Sequence, residues 1–206
     1  MEVADKLKFN SFSVGKIKNK CLIFFHGWSG DMDSFIPFAK SSKINNVEWF
    51  FPQAPYAIEN GYSWSYEISK GVWERDEPFS MIQDFLDSHI FSNYDSRDVY
   101  LFGFSQGAMV CYELLKEIDS PLGGVFPIGG FMRGLDESNF VNKAQKDTHI
   151  HIGHGKDDDI ILPQKSKDAY NVLKKYCQDV HLSLYTGKHK INISFWKKIV
   201  SYIENE

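Results

Sequence analysis

An α/β fold is what this sequence predicts: a mostly parallel central sheet with helices on both faces. Three observations predict it. Short aromatic and β-branched runs alternate with apolar residues at helical spacing along nearly the whole chain. Two of the runs, residues 21–25 and 99–102, are continuously apolar, as expected of strands buried on both faces. The groups that could do chemistry follow the ends of strand-like runs, where open α/β sheets build their sites.

Taken in order, residues 7–14 read as a weak strand and 15–20 as a lysine-rich turn. Residues 21–25 form a central strand that ends in a two-glycine loop, 26–31. Asp33 can cap a helix carrying Phe35, Ile36 and Ala39. Residues 47–51 form the next strand, stopped by Pro52 and Pro55. Residues 56–78 are the least regular part, with Tyr62, Trp64, Tyr66, Trp73 and glycines at 61 and 71. So many aromatics in a long connection fit a lid-like loop or short helix over an apolar cleft, or a surface loop pinned by aromatic packing. Ser80 and Gln83 have the spacing of a capping box for a helix through Met81, Phe85, Leu86 and Ile90. After the strand at 99–102 comes a helix through Met109, Tyr112 and Leu115. Strands follow at 123–128, 148–153 and 179–185. Helices are expected after Pro163 and over 195–203. No repeat, linker or low-complexity tract interrupts the series, so residues 1–206 are expected to form one domain.

The 206 residues suffice for a sizeable core, and the 17 phenylalanines suit large buried side chains. A net charge of −4 weighs against nucleic acid or an anionic membrane as the main partner. Three cysteines do not make a disulfide framework. The N-terminal stretch lacks the apolar core of a signal peptide, and no apolar run approaches a membrane span. The expected setting is therefore cytoplasmic.

Chemistry enters at Gly103-Phe104-Ser105-Gln106-Gly107. A G-x-S-x-G between a strand and a helix is a nucleophile elbow, which lifts the serine above the carboxyl end of the sheet. A serine hydroxyl needs a base to take its proton, usually a histidine held by a carboxylate. In this chain order the acid and then the histidine should follow the serine. His181 lies within a strand and His189 in the loop after it, so His189 is the expected base. Asp157, Asp158 and Asp159 follow the preceding strand, and spacing does not choose among them. The oxyanion hole would use the Gln106 amide and one near Trp28. His26 precedes the nucleophile and is expected to shape the adjoining glycine turn. His149 and His151 could offer two rings to a metal. No compact third ligand follows from spacing, so strand packing is expected there, with no metal and no cofactor.

The 26–31 loop (HGWSGD), the 51–55 segment (FPQAP), Trp64, the GFSQG elbow, Gly129-Gly130-Phe131, His154-Gly155 with its acidic run, and His189 occur in a familiar order. Together they resemble the acyl-protein thioesterase group, within the phospholipase/carboxylesterase family of α/β-hydrolases. The resemblance spans nearly the whole chain. It implies Ser105 as nucleophile, His189 as base and Asp158 as acid. It implies Trp28 and Gln106 as oxyanion donors, and Trp64, Ile160 and Ile161 as substrate-binding positions. A one-residue shift, which would restore the family spacing to Pro163, makes Asp159 the acid instead. The expected activity is a serine hydrolase of carboxylic esters or thioesters. Small esters, thioesters, lysophospholipids and acylated proteins are the expected substrate classes. A serine peptidase and a non-catalytic binding module of the same fold are the rivals.

Overall fold

The computed structural model describes residues 6–70, 72–74, 76–134 and 141–206. The N-terminal stretch 1–5 and the glycine at 71 lie outside that set. Seven strands form the main sheet: β1 (Phe9–Val14), β2 (Lys20–Phe25), β3 (Val47–Pro52), β8 (Val99–Phe104), β9 (Gly124–Ile128), β10 (His149–Gly155) and β11 (Val180–Tyr185). Their order is β1-β3-β2-β8-β9-β10-β11. Every neighbouring pair is parallel except β1 with β3 at one edge. The expected fold class is therefore the observed one.

Alternation along the strands explains the layers. In β2, Leu22 and Phe24 point to one face, and Ile23 and Phe25 to the other. The Leu22 face packs with Trp49, Phe102 and Phe126 against α1 (Ile36–Ser42) and α5 (Ile193–Asn205). The Ile23 face packs with Leu101, Val125 and Ile150 against α2 (Asp76–Phe85), α3 (Gln106–Glu117) and α4 (Gln164–Leu173). Helix α5 buries Phe195, Trp196, Ile199 and Ile203, one stripe at helical spacing. Its first amides, those of Ser194 and Phe195, donate to the Asn192 carboxamide oxygen at 2.8 and 3.1 Å. Such a cap contributes about 1 kcal/mol. Among the described residues, no helix is long and apolar enough to cross a membrane.

Three local expectations change. Asp33 does not cap α1; its carboxylate accepts from Asn10 Nδ2 at 2.7 Å, and Phe35 stands at the N-cap. Helix α2 starts at Asp76, ahead of Ser80, because the Glu74 carboxylate accepts from the Glu77 amide and takes the capping role. Gln83 donates forward to Asp87 rather than back to the helix start. Among the described residues between 56 and 73 there is no helix. Two short hairpins form instead: β4 (Tyr56–Ile58) with β5 (Gly61–Ser63), and β6 (Glu67–Ser69) with β7 (Val72–Trp73). Gly61, at φ 95°, supplies the left-handed residue that the first turn requires.

Candidate active site

The site is assembled at the carboxyl ends of β2, β8, β9, β10 and β11. Ser105 joins β8 to α3 with φ 56° and ψ −114°, a conformation that costs a non-glycine residue of the order of 1–3 kcal/mol. Two glycines make the turn possible. A Cβ on Gly103 would collide with the Gly107 carbonyl, and one on Gly107 with the carbonyl of Phe25. The elbow is held by the surrounding sheet, since Ser105 N donates to Ile128 O at 2.8 Å. Gln106 opens α3, so its amide belongs to the first turn, where a helix leaves N–H groups without intrahelical partners.

His189 lies four residues beyond β11. Its Nδ1–H donates to Asp158 Oδ2 at 2.7 Å. The ring packs on Phe104, with centroids 4.8 Å apart, and flanks Gly129. Ser105 and His189 thus border the same short segment after β9. Asp158 is buried, and its other oxygen, Oδ1, accepts from the amides of Ile160 and Ile161, both at 3.0 Å. Burial alone would raise the Asp158 pKa. The hydrogen bonds from His189, Ile161 and Ile160 outweigh it, and the carboxyl is held below its ordinary value.

The two neighbouring aspartates go elsewhere. Asp157 accepts from the Gly187 amide at 3.3 Å, and the exposed Asp159 faces Lys188 Nζ at 3.5 Å. Of the three carboxylates, the turn aims Asp158 at the histidine. Behind it stands His154, fully buried, which spacing marked only as a strand end. Its Nε2–H donates to Ile161 O at 2.8 Å and lies 3.1 Å from Asp158 Oδ2, while its Nδ1 shares a hydrogen bond with Ser166 Oγ at 2.6 Å.

The 26–30 loop runs beside the elbow; a Cβ on Gly27 would stand 3.3 Å from Ser105 Cβ. His26 is buried and shapes this turn as expected. Its Nδ1–H donates to Gly27 O at 2.7 Å, and its Nε2 accepts from Ala54 N at 3.1 Å. Burial holds its pKa below the ordinary histidine value, consistent with a neutral ring. The two amides after Trp28, those of Ser29 and Gly30, are committed to Tyr62 O and Gly27 O.

Ser105 opens into a cavity of about 540 Å³. Trp28, Trp73, Met109, Phe131 and Ile161 supply its apolar wall, with Ser65, Gln106 and Arg133 as polar members. Ile161 lies on the cavity wall. Ile160 does not; it is exposed, and the cavity lining leaves it out. Trp64 also differs. Its indole is buried against Phe25 and His26, and its Nε1–H donates to His26 O at 2.9 Å. The Gln106 side chain adds to this anchoring. Its Oε1 accepts from Trp64 N at 3.0 Å, and its Nε2 donates to Ser63 Oγ at 2.9 Å. An indole satisfied at Nε1 and sealed beneath the loop is core, not cavity wall.

Met109, Phe131 and Arg133 line the cavity, a place that the sequence pattern assigned to none of them. A signal existed for each. Met109 stands one turn beyond Gln106 on α3, and the other two follow β9 on the catalytic side of the sheet. Arg133 Nη2 donates to Ser65 Oγ at 3.1 Å, which ties the segment after β9 to the hairpin segment. The two tryptophans should separate in experiment. Trp73→Ala should weaken hydrolysis of longer acyl chains more than of acetyl esters, since each buried methylene contributes about 0.8 kcal/mol. Trp64→Ala should instead destabilise the fold by about 3–5 kcal/mol. Specificity constants across a chain-length series, together with thermal melts of both variants, check this.

His149 and His151 lie on β10, well away from this site. His151 Nε2 is hydrogen-bonded with Ser183 Oγ at 2.8 Å, and its ring meets Phe195 edge-on at 4.9 Å. Burial, with the neighbouring His149 and His181, pushes the His151 pKa down to about 4. The His149 and His151 rings stand with centroids 6.0 Å apart and take different hydrogen-bond partners, Asp179 and Ser183.

Comparison with known proteins gives the geometry a context. The model of the family described as phospholipase/carboxylesterase matches residues 12–206. Acyl-protein thioesterase 1 of Kluyveromyces lactis is 31% identical over 192 residues, covering 83% of this chain and 82% of the relative. Carboxylesterase SOBER1 of Arabidopsis thaliana is 26% identical, with 80% and 79% covered. The crystal structure of the Bacillus cereus carboxylesterase superposes with a TM-score of 0.81 at 15% identity, covering 98% of this chain and 95% of that one. At that identity the likeness is one of fold alone. A family match over almost the whole chain, on a sheet that carries a strained serine elbow, settles the class: this chain belongs to the phospholipase/carboxylesterase family of α/β-hydrolases and is a serine hydrolase of carboxylic ester or thioester bonds.

Proposed function

We propose that Ser105, His189 and Asp158 carry out this hydrolysis through an acyl-enzyme. The observation that carries the reading is the 2.7 Å hydrogen bond from His189 Nδ1 to a buried Asp158, beside a strained serine at the floor of an apolar cavity. With Nδ1–H committed to the carboxylate, Nε2 is the nitrogen free to accept the Ser105 proton. Ser105 Oγ attacks the carbonyl carbon, and the oxyanion is held by the amides of Gln106 and Trp28. His189 then returns the proton to the departing alcohol or thiol, leaving an acyl ester on Ser105. Water repeats the path: His189 takes its proton, the hydroxide attacks, and Ser105 leaves reprotonated. Asp158 keeps the ring in the required tautomer and stabilises the imidazolium.

The cavity supports this choice of substrate class. Its mainly apolar wall suits the acyl chain of an ester, a thioester or a lysophospholipid, including an acyl chain carried by a protein. Trp73, on the β6–β7 hairpin, forms one wall, so that hairpin acts as the lid-like element. The chain works as one domain, and its three buried, unbridged cysteines fit a cytoplasmic setting.

A fluorophosphonate probe should label Ser105 and abolish activity, with the adduct located by peptide mass spectrometry. Absence of labelling would refute the nucleophile assignment. Nothing in the proposed steps uses a metal ion, so prolonged dialysis against EDTA should leave ester hydrolysis unchanged. A loss restored by zinc would move the chemistry to a metal.

A further inference from the structure

A second polar cluster lies at the opposite ends of β10 and β11 from Asp158 and His189. His149 opens β10, Asp179 immediately precedes β11, and His181 is the second residue of β11. Parallel pairing sets Ile150 against Val180 and His151 against His181. The Asp179 carboxylate accepts two hydrogen bonds, from His149 Nδ1 at 2.7 Å and from His181 Nε2 at 2.6 Å. These three groups each offer one ligand atom, all within 4.8 Å of one another. His149 is mostly buried and stacks on Tyr202 of α5, with centroids 3.8 Å apart and planes at 14°. The side chains of Asp179 and His181 are about half exposed, at 45% and 54%. One imidazole is thus held rigidly, while the other two groups meet it from the solvent side.

We propose that His149, Asp179 and His181 bind a divalent transition ion of the zinc class, clamping the edge strand β11 to β10. Two imidazoles and one carboxylate match the ligand preferences of zinc, and water can take the fourth tetrahedral position. The hydrogen-bonded arrangement is already close to the liganded one. Ligand atoms bound at about 2.0–2.1 Å around one tetrahedral ion stand about 3.3 Å apart. The two imidazoles now bond different oxygens of Asp179, so on binding one oxygen serves both rings, and the ligand atoms, already within 4.8 Å of one another, draw to that spacing by side-chain rotation. Each ring proton moves through solvent from the ligating nitrogen to the opposite one, so binding to the neutral rings needs no net proton change and no redox partner. The His149 and His151 pair noted in the sequence is not the donor set. Asp179 and His181 complete it from 30 or more residues away. The ion would sit at the amino-terminal ends of the strands, away from the proposed catalytic groups, and so would act on stability rather than on the hydrolytic step.

The test uses the full chain, stripped with EDTA and titrated with zinc chloride by calorimetry, and with cobalt(II) by visible absorption. The expected result is one ion per chain, a tetrahedral cobalt spectrum, and a rise in melting temperature on adding zinc without a change in ester hydrolysis by the stripped enzyme. Loss of a group that merely supports a ligand weakens metal binding by about 10–100-fold, so loss of a ligand should cost at least about 100-fold. Asp179→Asn and His181→Gln should each do so, whereas His89→Gln, at an exposed histidine elsewhere, should not. Both substitutions lie at half-exposed side chains, and circular dichroism confirms that each variant is folded. Absence of binding, or binding retained in either ligand variant, overturns the proposal. So does binding that is lost only in His189→Ala, which would assign the ion to the catalytic centre.

Discussion

Ser105→Ala should reduce ester hydrolysis by about 10⁶-fold while leaving the fold and its stability nearly unchanged. The size follows from removing a nucleophile that acts as one unit with its base, where loss of the serine alone removes almost all of the chemistry. What remains is the smaller acceleration from binding and from the oxyanion amides. Stability should hold for a structural reason. The Ser105 hydroxyl makes no cap bond to α3, and the elbow is fixed through backbone: Ser105 N to Ile128 O, and Ala108 N to Ser105 O at 3.1 Å. Alanine keeps the Cβ and the positive φ, so the strain is the same in both proteins. The change in stability should therefore stay within about 0.5 kcal/mol. Rates on a chromogenic acyl ester, with circular dichroism and a thermal melt on the same preparation, test both halves. Wild-type activity in a folded Ser105→Ala protein would remove Ser105 from the mechanism.

Much of the site was legible because its signals are local. A serine between two glycines, at a strand-to-helix junction, specifies its own backbone geometry, and Gly103 and Gly107 are required by contacts that only a missing Cβ permits. Ser105 and His189 follow strand ends, and strand ends are what apolar runs reveal best. Trp64 is not placed by its sequence context, because an indole looks equally apolar in a core and in a cavity wall. Its place is decided by hydrogen bonds to His26 and Gln106, which spacing does not encode. Strands β4 to β7, two or three residues long, are too short for a period of two to show. The start of α2 shifted because capping depends on where a side chain reaches: Glu74 supplies the acceptor, and Ser80 falls inside the helix. The choice among three consecutive aspartates was the hardest, since it turns on the direction of one side chain in a tight loop.

That choice gives the second large effect. Asp158→Asn should lower turnover by up to about 10⁴-fold, whereas Asp157→Asn and Asp159→Asn should each cost little. Asparagine has nearly the same shape, and its carbonyl oxygen can still accept from the Ile160 and Ile161 amides, so the loop should survive. Two functions are lost. The negative charge that stabilises the His189 imidazolium is gone. The carboxamide can also turn its NH₂ toward Nδ1, which moves the ring proton to Nε2 and leaves Ser105 without an acceptor. Asp159 is exposed and faces Lys188 at 3.5 Å, a surface pair of the kind that contributes little. Asp157 accepts from the Gly187 amide. A second readout separates the charge from the shape. The folded pKa of Asp158 lies below its unfolded value of about 3.9, so its ionised form adds stability at neutral pH. That stability should fade as pH drops from about 4 through the folded pKa. In Asp158→Asn this part of the acid loss should be absent, giving a flatter stability profile at low pH than in the wild type. Turnover of the three variants at neutral pH and their melting temperatures between pH 7 and pH 3 make the comparison. If Asp159→Asn abolished activity while Asp158→Asn spared it, His189 would take its acid from the other side of the turn.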